Sequence, residues 1–432
     1  MNKVAFYTLG CKVNQYETEA MEELFEKRGY EIVNNNEKAD IYIINTCTVT
    51  NLGDRKSRQF IRRAKKTNKD SIIVAVGCYS QVAPEEVEEI EGVDIVIGTT
   101  DRNRIVDLCE EAKFNNKKIN IVKSIRDHKK FERLNVADLK DKTRAYIKIQ
   151  EGCNQFCSYC IIPYARGPIR SRELDDILIE SRRLANVGFK EIILTGIHVT
   201  SYGKDLNDLR LIDVIEEISK IDGIERIRLS SIEPTFIDEE FMQRAVNTKK
   251  LCDHFHLSLQ SGSDTVLKRM NRKYTSEEFK GIVNIIRDYM PNAGITTDII
   301  VGFPGETQEE FEETYNFVKN IGFSRIHVFK YSPRKGTPAS KFKNQIHGSI
   351  KHQRSENLIL LGDELMKAFN EKHIGKTIYV LFEEGENGFV EGYTTNYIRV
   401  KVESEDEMQG KILPVKIIGK ENDILIGKIE EL

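Results

Sequence analysis

Residues 145–167 read AYIKIQEGCNQFCSYCIIPYARG, and they decide the fold that the sequence predicts. The first six letters form a short, mostly apolar run that is typical of a strand. The run leads into a loop that carries Cys153, Cys157 and Cys160 within eight residues. Three thiols at this spacing indicate a metal site, yet zinc ions and iron–sulfur clusters normally take four protein ligands. No fourth cysteine or histidine lies nearby, so one ligand position is open.

The same strand-then-helix unit recurs six times between Thr143 and Asn370. The strands are AYIKIQ, EIILTG, RIRLSS, FHLSLQ, TTDIIVG and RIHVFKY, and segments of helical periodicity follow them. Six such units predict a parallel, partly closed (βα)6 barrel over residues 143–370. The active sites of barrel enzymes lie at the C-terminal ends of the strands. The cysteine loop is therefore expected at the mouth of the barrel.

Three kinds of site can be compared for this loop. A structural zinc site pairs one close cysteine couple with a second, but here the nearest histidine, His198, is one βα unit away. A disulfide would leave one thiol over and is disfavoured in the cytosol. A four-iron cluster held by three thiolates, with its fourth iron open to a small molecule, fits the count best.

A second group of cysteines is dispersed over the N-terminal part of the chain. Here VAFYTL, ADIYIIN, SIIVAV and VDIVIG alternate with helical patterns, which predicts an α/β domain with a doubly wound parallel sheet over residues 1–111. Cys11, Cys47 and Cys78 each follow the end of a strand by one or two residues. A cysteine is often only a small buried hydrophobe. Because parallel strands end on one edge of a sheet, three of them in equivalent places predict a second cluster.

The rest of the chain contains a polar stretch and a small terminal domain. Residues 112–142 are polar and are predicted to be a linker. Short alternating runs over residues 371–432 predict a small antiparallel β-barrel. The remaining cysteines, Cys109 and Cys252, match neither triad and are expected to be structural.

Composition limits the classes of function. The 432 residues carry a net charge of -3, which excludes a uniformly basic coat for nucleic acid. The first apolar run is too short for a signal peptide, and none approaches the roughly 20 residues of a membrane helix. Eight cysteines in a reducing compartment favour metal binding or catalysis over disulfides. We expect a cytoplasmic protein without a membrane partner.

Local basic patches could still bind RNA. A helix in DRKSRQFIRRAKKTNKD would place six cations on one face, although most charge runs are merely solvated. Further basic residues follow the cysteine loop and occur in KRMNRKYT. The predicted RNA-binding residues are Arg55, Arg58, Arg62, Lys65, Lys66, Lys69, Arg166, Arg170, Arg172, Arg272 and Lys273, with Arg269 in the same cluster as the last two.

The C-x3-C-x2-C spacing of Cys153, Cys157 and Cys160 resembles that of the radical S-adenosylmethionine enzymes. The resemblance implies that S-adenosylmethionine occupies the open iron. It also implies places for six other residues. Tyr159 would lie near the adenine, Thr195 and Gly196 would hold the methionine end, and Ser230, Gln260 and Gly302 would line the remainder.

The combination of two cysteine triads with a small C-terminal β-domain resembles the methylthiotransferases. In FVEGYTTNYIRVKV the last domain resembles the TRAM domain of these enzymes, an RNA-binding barrel. It departs from expectation in charge, with eight Lys or Arg against thirteen Asp or Glu over residues 371–432. An RNA-binding face would be confined to residues such as Lys376, Tyr397 and Arg399, or the domain packs against protein.

The motif YTLGCKVNQYETE resembles the branch that acts on N6-threonylcarbamoyladenosine. At this motif the isopentenyladenosine branch has GCQMN and the ribosomal-protein branch has GCPKN, whereas this chain has GCKVN. The resemblance implies radical methylthiolation at C2 of the modified adenosine at position 37 of tRNA, beside the anticodon. Isopentenyladenosine in tRNA, a ribosomal-protein aspartate and a non-catalytic RNA-binding iron–sulfur protein remain alternatives.

The same resemblance implies a mechanism, cofactors and partners. Two [4Fe–4S] clusters would divide the work: the one on Cys153, Cys157 and Cys160 starts the radical reaction, and the one on the other triad carries the sulfur. S-adenosylmethionine would be both the radical source and the methyl donor. The implied partners are the tRNA anticodon stem-loop, a one-electron donor protein and a sulfur source.

Overall fold

The computed structural model describes residues 2–115, 117–134, 143–206, 209–404 and 406–430. Within these ranges the chain forms a parallel sheet, an open barrel and a small closed barrel, in that order.

The first layer is a six-stranded parallel sheet with the strand order β2-β1-β3-β4-β5-β6. Its strands are β1 (Lys3–Thr8), β2 (Glu31–Val33), β3 (Ile41–Thr46), β4 (Ile72–Gly77), β5 (Ile95–Ile97) and β6 (Ile119–Asn120). The helices between them are α1 (Lys12–Lys27), α2 (Asn51–Thr67), α3 (Cys78–Val82), α4 (Pro84–Glu88) and α5 (Ile105–Asn115).

The central strands of this sheet are apolar on both faces because helices cover both sides. In β3, Ile41 and Ile43 belong to one buried cluster, whereas Tyr42 and Ile44 belong to the cluster on the opposite face. Such continuous burial is typical of a parallel sheet that is covered on both faces. The strand order places β1, β3 and β4 side by side, so their C-terminal ends lie next to one another.

The predicted linker over residues 112–142 needs correction at its start. The boundary at residue 111 falls inside α5, and β6 extends the N-terminal sheet by pairing in parallel with β5. A strand of two residues has too little pattern to be distinguished from a polar loop. Residues 116 and 135–142 of that segment lie outside the part of the chain that the structure describes.

Six parallel strands form the open barrel. The strands, with one short antiparallel partner, are β7 (Arg144–Glu151), β8 (Arg170–Ser171), β9 (Glu191–Gly196), β10 (Arg226–Leu229), β11 (His254–Gln260), β12 (Gly294–Val301) and β13 (Arg325–Lys330). Its helices are α6 (Ile162–Arg166), α7 (Leu174–Asn186), α8 (Leu211–Ser219), α9 (Glu239–Asn247), α10 (Asp264–Arg269), α11 (Ser276–Tyr289), α12 (Gln308–Ile321) and α13 (Gly348–Glu371).

The order β8-β7-β9-β10 continues to β11-β12-β13 through two isolated parallel bridges. These join Ile227 to Leu251 and Ile232 to Leu257. The strands β7 and β13 stand far apart in this order, so the barrel is open along one side. The fold is thus the predicted partial barrel.

The strands of the open barrel have one apolar face and one polar face. In β7, Ala145, Ile147 and Ile149 pack in the main core beneath the helices. Their neighbours in the strand, such as Tyr146 and Lys148, point the opposite way, into the space enclosed by the barrel. We call this space the lumen.

The C-terminal domain is a closed five-stranded barrel with the order β14-β15-β16-β18-β17. Its strands are β14 (Thr377–Glu386), β15 (Phe389–Tyr393), β16 (Arg399–Glu403), β17 (Ile412–Glu421) and β18 (Ile424–Ile429). All pairs are antiparallel except β16 with β18, which are parallel. A separate cluster that includes Val380, Phe382 and Val400 fills the interior.

The small barrel closes the lumen at the N-terminal ends of the strands. Arg228 donates to the main-chain oxygens of Thr394 and Thr395 at 3.1 and 2.9 Å. Tyr397 stacks on His254, the first residue of β11, with the ring centroids 4.7 Å apart. This face of the terminal domain therefore packs against protein, and Tyr397, which we predicted to face RNA, lies instead in the floor of the lumen.

Among the described residues, every helix is too short or too polar to span a membrane.

Candidate active site: two cysteine triads and the lumen

The first group of thiols lies on the loop after β7, which we call the local triad: Cys153, Cys157 and Cys160. The loop begins at Gly152, where φ is +75° and a Cβ would lie 1.8 Å from the main-chain oxygen of Pro168. Only glycine fits there. The Cys153 amide then donates to the Gly167 oxygen at 3.0 Å, which holds the two ends of the loop together.

Burial keeps two of the local thiols, Cys153 and Cys160, protonated when no metal is bound. It raises the pKa of Cys153 to about 11 and that of Cys160 to about 12. Because a metal binds the thiolate, loading the site must release protons.

Arg272 lies directly beside the local triad. Its Nη1 is 3.4 Å from Sγ of Cys157, and its Nη2 donates to both carboxylate oxygens of Glu233 at 2.9 and 3.0 Å. The Arg272 side chain is 5% exposed. It cannot reach an RNA phosphate, which corrects the prediction for this residue.

The second group, the dispersed triad, consists of Cys11, Cys47 and Cys78. Cys11 caps α1 directly after β1, Cys47 follows β3, and Cys78 begins α3 after β4. The three strands are neighbours in the sheet, so the topology brings the cysteines to one edge. The approach is close, since a Cβ on Gly10 (φ +104°) would lie 3.0 Å from Sγ of Cys47.

Arg166 connects the two triads. It is the last residue of α6, the helix that follows the local triad, and it is fully buried. Its Nε donates to Sγ of Cys78 at 3.2 Å, and its Nη2 donates to Oδ1 of Asn14 at 2.6 Å. The guanidinium opposes the effect of burial, which still raises the pKa of Cys78 to about 12. One side chain of the barrel thus supports a thiol of the N-terminal sheet.

Arg166 belongs to a buried network of charges between the two domains. Its Nη1 donates to Glu17 at 2.6 Å and to Glu151 at 3.1 Å, and Lys148 and Arg102 bind the same pair of carboxylates. The cations hold the pKa of Glu17 below its usual value despite its burial. Because every member is paired, the network joins the sheet to the barrel in one arrangement.

The other two arginines after the cysteine loop are also buried. Arg170 donates to the main-chain oxygens of Arg166 and Pro168 at 3.0 and 3.2 Å, and Arg172 pairs with Glu180. The prediction that Arg166, Arg170 and Arg172 bind RNA is therefore wrong, because none of the three is exposed. A charge run in a sequence does not reveal acidic partners that come from other elements.

Helix α2 keeps some, but not all, of the exposed cations that were predicted for its basic face. Arg58 is engaged by Tyr79 and Glu86 at 2.8 and 3.2 Å, and Lys65 donates to the Ser71 oxygen at 2.9 Å. The exposed cations of the predicted set on this helix and just beyond its end are Arg55, Arg62, Lys66 and Lys69, which we call the basic stripe. Near the mouth, Lys273 is exposed, whereas Arg269 pairs with Glu310 at 2.7 Å.

The residues predicted to hold S-adenosylmethionine lie at or beside the C-terminal ends of the barrel strands. Thr195 and Gly196 end β9, Ser230 follows β10, Gln260 ends β11 and Gly302 follows β12. Tyr159 is in the cysteine loop and packs against a cluster that includes Phe303 and Tyr331. Gly196 meets the first strand closely, since a Cβ there would lie 2.9 Å from the Gln150 oxygen.

The predicted site residues did not include Gln150 and His198, two polar side chains at the mouth of the barrel. Gln150 accepts a hydrogen bond from the amide of His198 at 2.7 Å. The Nε2 of His198 lies 3.7 Å from the Glu233 carboxylate that also binds Arg272. The available signal for Gln150 was its place in the alternation of β7, on the same face as Tyr146 and Lys148 and next to the cysteine loop.

Each triad offers three thiols, with no fourth protein ligand among the residues that the structure describes, which suits a four-iron cluster with one open iron. Within the described ranges, no three His, Cys, Asp or Glu side chains are grouped closely enough to hold a single metal ion. Arg272 and Arg166 each add one cation beside a triad, which balances part of the charge of the thiolates.

An open barrel of six parallel strands, with three cysteines on the loop after its first strand, defines the class of radical S-adenosylmethionine proteins. Residues 147–318 match the Radical SAM superfamily, and residues 3–98 match an uncharacterized protein family, UPF0004. A solved structure of a radical S-adenosylmethionine methyltransferase, TsrM from Kitasatospora setae, has the same fold at 15% identity. The TM-score is 0.60, over 79% of this chain and 77% of that one.

Curated relatives match nearly the whole chain. One from Bacillus subtilis, named threonylcarbamoyladenosine tRNA methylthiotransferase MtaB, is 46% identical over 97% of this chain and 94% of its own length. Another from Alkaliphilus oremlandii, named tRNA-2-methylthio-N(6)-dimethylallyladenosine synthase, is 37% identical over 99% of this chain and 92% of its own. The chain belongs to the methylthiotransferase family of radical S-adenosylmethionine proteins. Proteins of this family use two [4Fe–4S] clusters and S-adenosylmethionine.

Proposed function

We propose that the protein attaches a methylthio group to C2 of N6-threonylcarbamoyladenosine at position 37 of tRNA, which gives 2-methylthio-N6-threonylcarbamoyladenosine. The observation that carries the reaction is the pair of three-thiol sites joined through Arg166, whose guanidinium is 3.2 Å from Cys78. The choice of adenosine rests on the relative named for threonylcarbamoyladenosine. Its identity of 46% exceeds the 37% of the relative named for dimethylallyladenosine.

In this proposal the two triads have separate roles. Cys153, Cys157 and Cys160 hold the cluster at the barrel mouth, and Cys11, Cys47 and Cys78 hold the cluster at the sheet edge. The strand-end residues that receive S-adenosylmethionine are those predicted for it: Tyr159, Thr195, Gly196, Ser230, Gln260 and Gly302. When bound, the clusters and S-adenosylmethionine supply radical cleavage, sulfur and a methyl group.

The protein's own contribution is to enclose and orient the reactants. The small barrel seals the lumen at the strand N-termini, and the N-terminal sheet lies against the barrel through the buried network around Glu17. An enclosed site of this kind keeps water and other reactive groups away from a radical.

Each of the three structural units has its own role in this proposal. We assign residues 1–120 to the sulfur-carrying domain, 143–370 to the radical domain and 371–432 to the TRAM-like domain.

The tRNA would approach the mouth from the side of the basic stripe. Arg55, Arg62, Lys66 and Lys69 are exposed and lie on or just beyond α2, the helix that follows Cys47. The target base must leave its stack to enter the lumen, which costs a few kcal/mol. An anticodon loop reduces that cost because it is largely single-stranded. The anticodon stem-loop is therefore the proposed partner.

Two further partners follow from the chemistry. The reaction needs a one-electron donor protein for the cluster at the mouth and a source of sulfur for the cluster at the sheet edge. Free thiols and reduced clusters require a reducing compartment, so we place the protein in the cytoplasm.

Mass spectrometry of tRNA nucleosides tests the proposal. Cells that lack the gene should accumulate N6-threonylcarbamoyladenosine, and the wild-type gene should restore the methylthio form, whereas Cys157→Ala should not. If the wild-type gene instead restores methylthio-isopentenyladenosine, the protein belongs to the branch that acts on isopentenyladenosine. If neither nucleoside changes, the ribosomal-protein aspartate is examined next by peptide mass spectrometry.

An electron paramagnetic resonance spectrum distinguishes the proposed enzyme from a non-catalytic iron–sulfur protein. Its clusters would be fully ligated, so added S-adenosylmethionine would leave the electron paramagnetic resonance signal of the reduced protein unchanged. The proposed enzyme has an open iron, so its signal should shift.

A further inference from the structure

Lys12 places a cation at the open side of the barrel. It is the first residue of α1, next to Cys11, and its Nζ lies 5.9 Å from the ring centroid of Tyr146 on the lumen face of β7. It is also within electrostatic range of His327 on β13. Because β7 and β13 are the two edges of the opening, the N-terminal domain introduces this ammonium into the gap between them.

The ammonium of Lys12 meets solvent in this gap. The residue is exposed, although protein surrounds it on several sides. Among the described residues, no carboxylate oxygen lies within 4.0 Å of its Nζ. Its neighbours on the wall are the ring of Tyr146 and the phenol of Tyr397, not a carboxylate.

Both cations and acidic groups surround Lys12. The phenol of Tyr397 has the largest charge effect on it, followed by Arg144, Arg228 and the carboxylate of Glu191. That carboxylate is already bound by Arg228 at 2.7 and 3.2 Å. Arg144 pairs with Glu383 at 2.7 Å, so Lys12 is the cation of this group that forms no ion pair within the described part of the chain. Like charges raise each other's energy, so an anion that entered the gap would be stabilised.

The opposite wall suits a planar ligand. His256 and His327 lie on the lumen faces of β11 and β13 with their ring centroids 5.9 Å apart, and Phe329 on the same face of β13 is 49% exposed. Aromatic faces of this kind stack on nucleobases. The same wall carries one carboxylate, Asp298, which is 3.3 Å from Nε2 of His256. The gap therefore offers aromatic surface on one side, with its one acid held by a histidine, and the ammonium of Lys12 on the other.

We propose that Lys12 binds the carboxylate of the threonylcarbamoyl group and so selects this adenosine over adenosines with an uncharged substituent. The inference rests on the proposed function, because only that substrate carries an anion on the adenine ring.

The test compares two anticodon stem-loops with the cluster-loaded protein. One carries N6-threonylcarbamoyladenosine, and the other carries its threonine methyl ester, which removes the negative charge and keeps the rest. Affinity is measured by fluorescence anisotropy and turnover by kcat/KM for each stem-loop. Wild-type protein should favour the acid over the ester by about tenfold to a hundredfold, the range for a hydrogen bond to a charged group.

Lys12→Gln should lose most of that preference. Its affinity for the acid should fall by the same factor, whereas its affinity for the ester should stay as in wild type. Lys12→Arg should restore much of the preference, because it restores the charge. Lys113→Gln, which removes an exposed lysine at the end of α5, should behave as wild type. Iron content is measured for each variant because Lys12 adjoins Cys11.

Three results would overturn the proposal. An equal preference of Lys12→Gln and wild type for the acid would show that Lys12 does not bind the carboxylate. An equal loss of affinity for acid and ester, with a smaller salt dependence, would assign Lys12 to a tRNA phosphate. An equal loss together with lost iron would assign it to the support of Cys11. Failure of wild-type protein to modify either stem-loop is different, since it would refute the proposed function itself.

Discussion

The local and dispersed triads reach the same donor count by different means. The local triad comes from one loop of eight residues that is closed by hydrogen bonds of its own. The dispersed triad needs three strands of a sheet to be in register before its thiols meet. The local triad is specified by spacing in the sequence and the dispersed triad by tertiary structure. A substitution that disturbs the fold elsewhere should therefore affect the dispersed triad more.

The cations beside the triads show the same difference. Arg272 is paired with Glu233 and lies beside Cys157, so the support of the local triad comes from the barrel that carries it. Arg166 lies beside Cys78, so the support of the dispersed triad comes from another domain. Four variants and one matched control test this comparison.

The largest effect is expected from Cys157→Ala. Removal of one of three thiolates should empty the local site and stop both the cleavage of S-adenosylmethionine and the formation of methylthio product. The dispersed triad should keep its cluster, which leaves about half of the iron. Iron analysis and the yield of 5′-deoxyadenosine measure this. Loss of iron from both sites would show that the triads are not independent.

Cys47→Ala should separate the cleavage of S-adenosylmethionine from the formation of the methylthio product. The local triad remains complete, so S-adenosylmethionine should still be cleaved, but without the dispersed cluster no methylthio product should form. Liquid chromatography of the nucleoside and of 5′-deoxyadenosine from one reaction gives both values. A full yield of methylthio product from this variant would remove the dispersed triad from the reaction.

Arg166→Met tests the support that one domain gives to the other. Removing Arg166 should cost at least roughly 1.5–3 kcal/mol, because Glu17 and Glu151 each lose a charged hydrogen bond in a buried network while Lys148 and Arg102 still bind them. Urea unfolding of the iron-free protein gives the free energy. Loaded protein should lose iron from the dispersed triad first.

Arg28→Gln is the matched control for Arg166. Its guanidinium pairs with Asp107 and Glu110 at 2.5 and 3.1 Å but is half exposed, so the change in unfolding free energy should stay below about 1 kcal/mol. Equal losses for the two arginines would contradict the importance given to the buried network.

The smallest effect is expected on the basic stripe. The double variant Arg62→Gln, Lys66→Gln should weaken tRNA binding and lower its salt slope by up to about two units if both side chains touch phosphate. Binding titrations at several salt concentrations measure the slope, with Lys113→Gln as the control. An unchanged slope would show that tRNA does not approach on the side of the dispersed triad.

Much of this architecture could be predicted from local pattern. The strands around Cys11, Cys47 and Cys78 are short apolar runs with helices between them, so the sheet and the common edge followed from alternation alone. The open barrel followed from six repeated units. The spacing of Cys153, Cys157 and Cys160 is itself local, so that triad needed no knowledge of the fold.

The errors arose where a residue's environment comes from distant segments. Arg166 was predicted to bind RNA, but its partner Glu17 lies 149 positions earlier and is visible only in the folded chain. Tyr397 was predicted to be an RNA contact, and its real neighbour, His254, belongs to another domain. Sequence pattern shows charge and periodicity, but it does not show which charged side chains are buried and bound by partners in the folded chain.

The position of Arg166 also sets an order of events during synthesis. The ribosome completes the sheet with Cys11, Cys47 and Cys78 well before residue 166 is made, so the nascent N-terminal domain has its thiols but not the guanidinium that lies against one of them. Iron inserted at that stage would enter a pocket that is still open on one side. We therefore expect the dispersed triad to take up its cluster late, after the barrel has folded, and we expect a truncated N-terminal fragment to be a poor acceptor for iron–sulfur carriers.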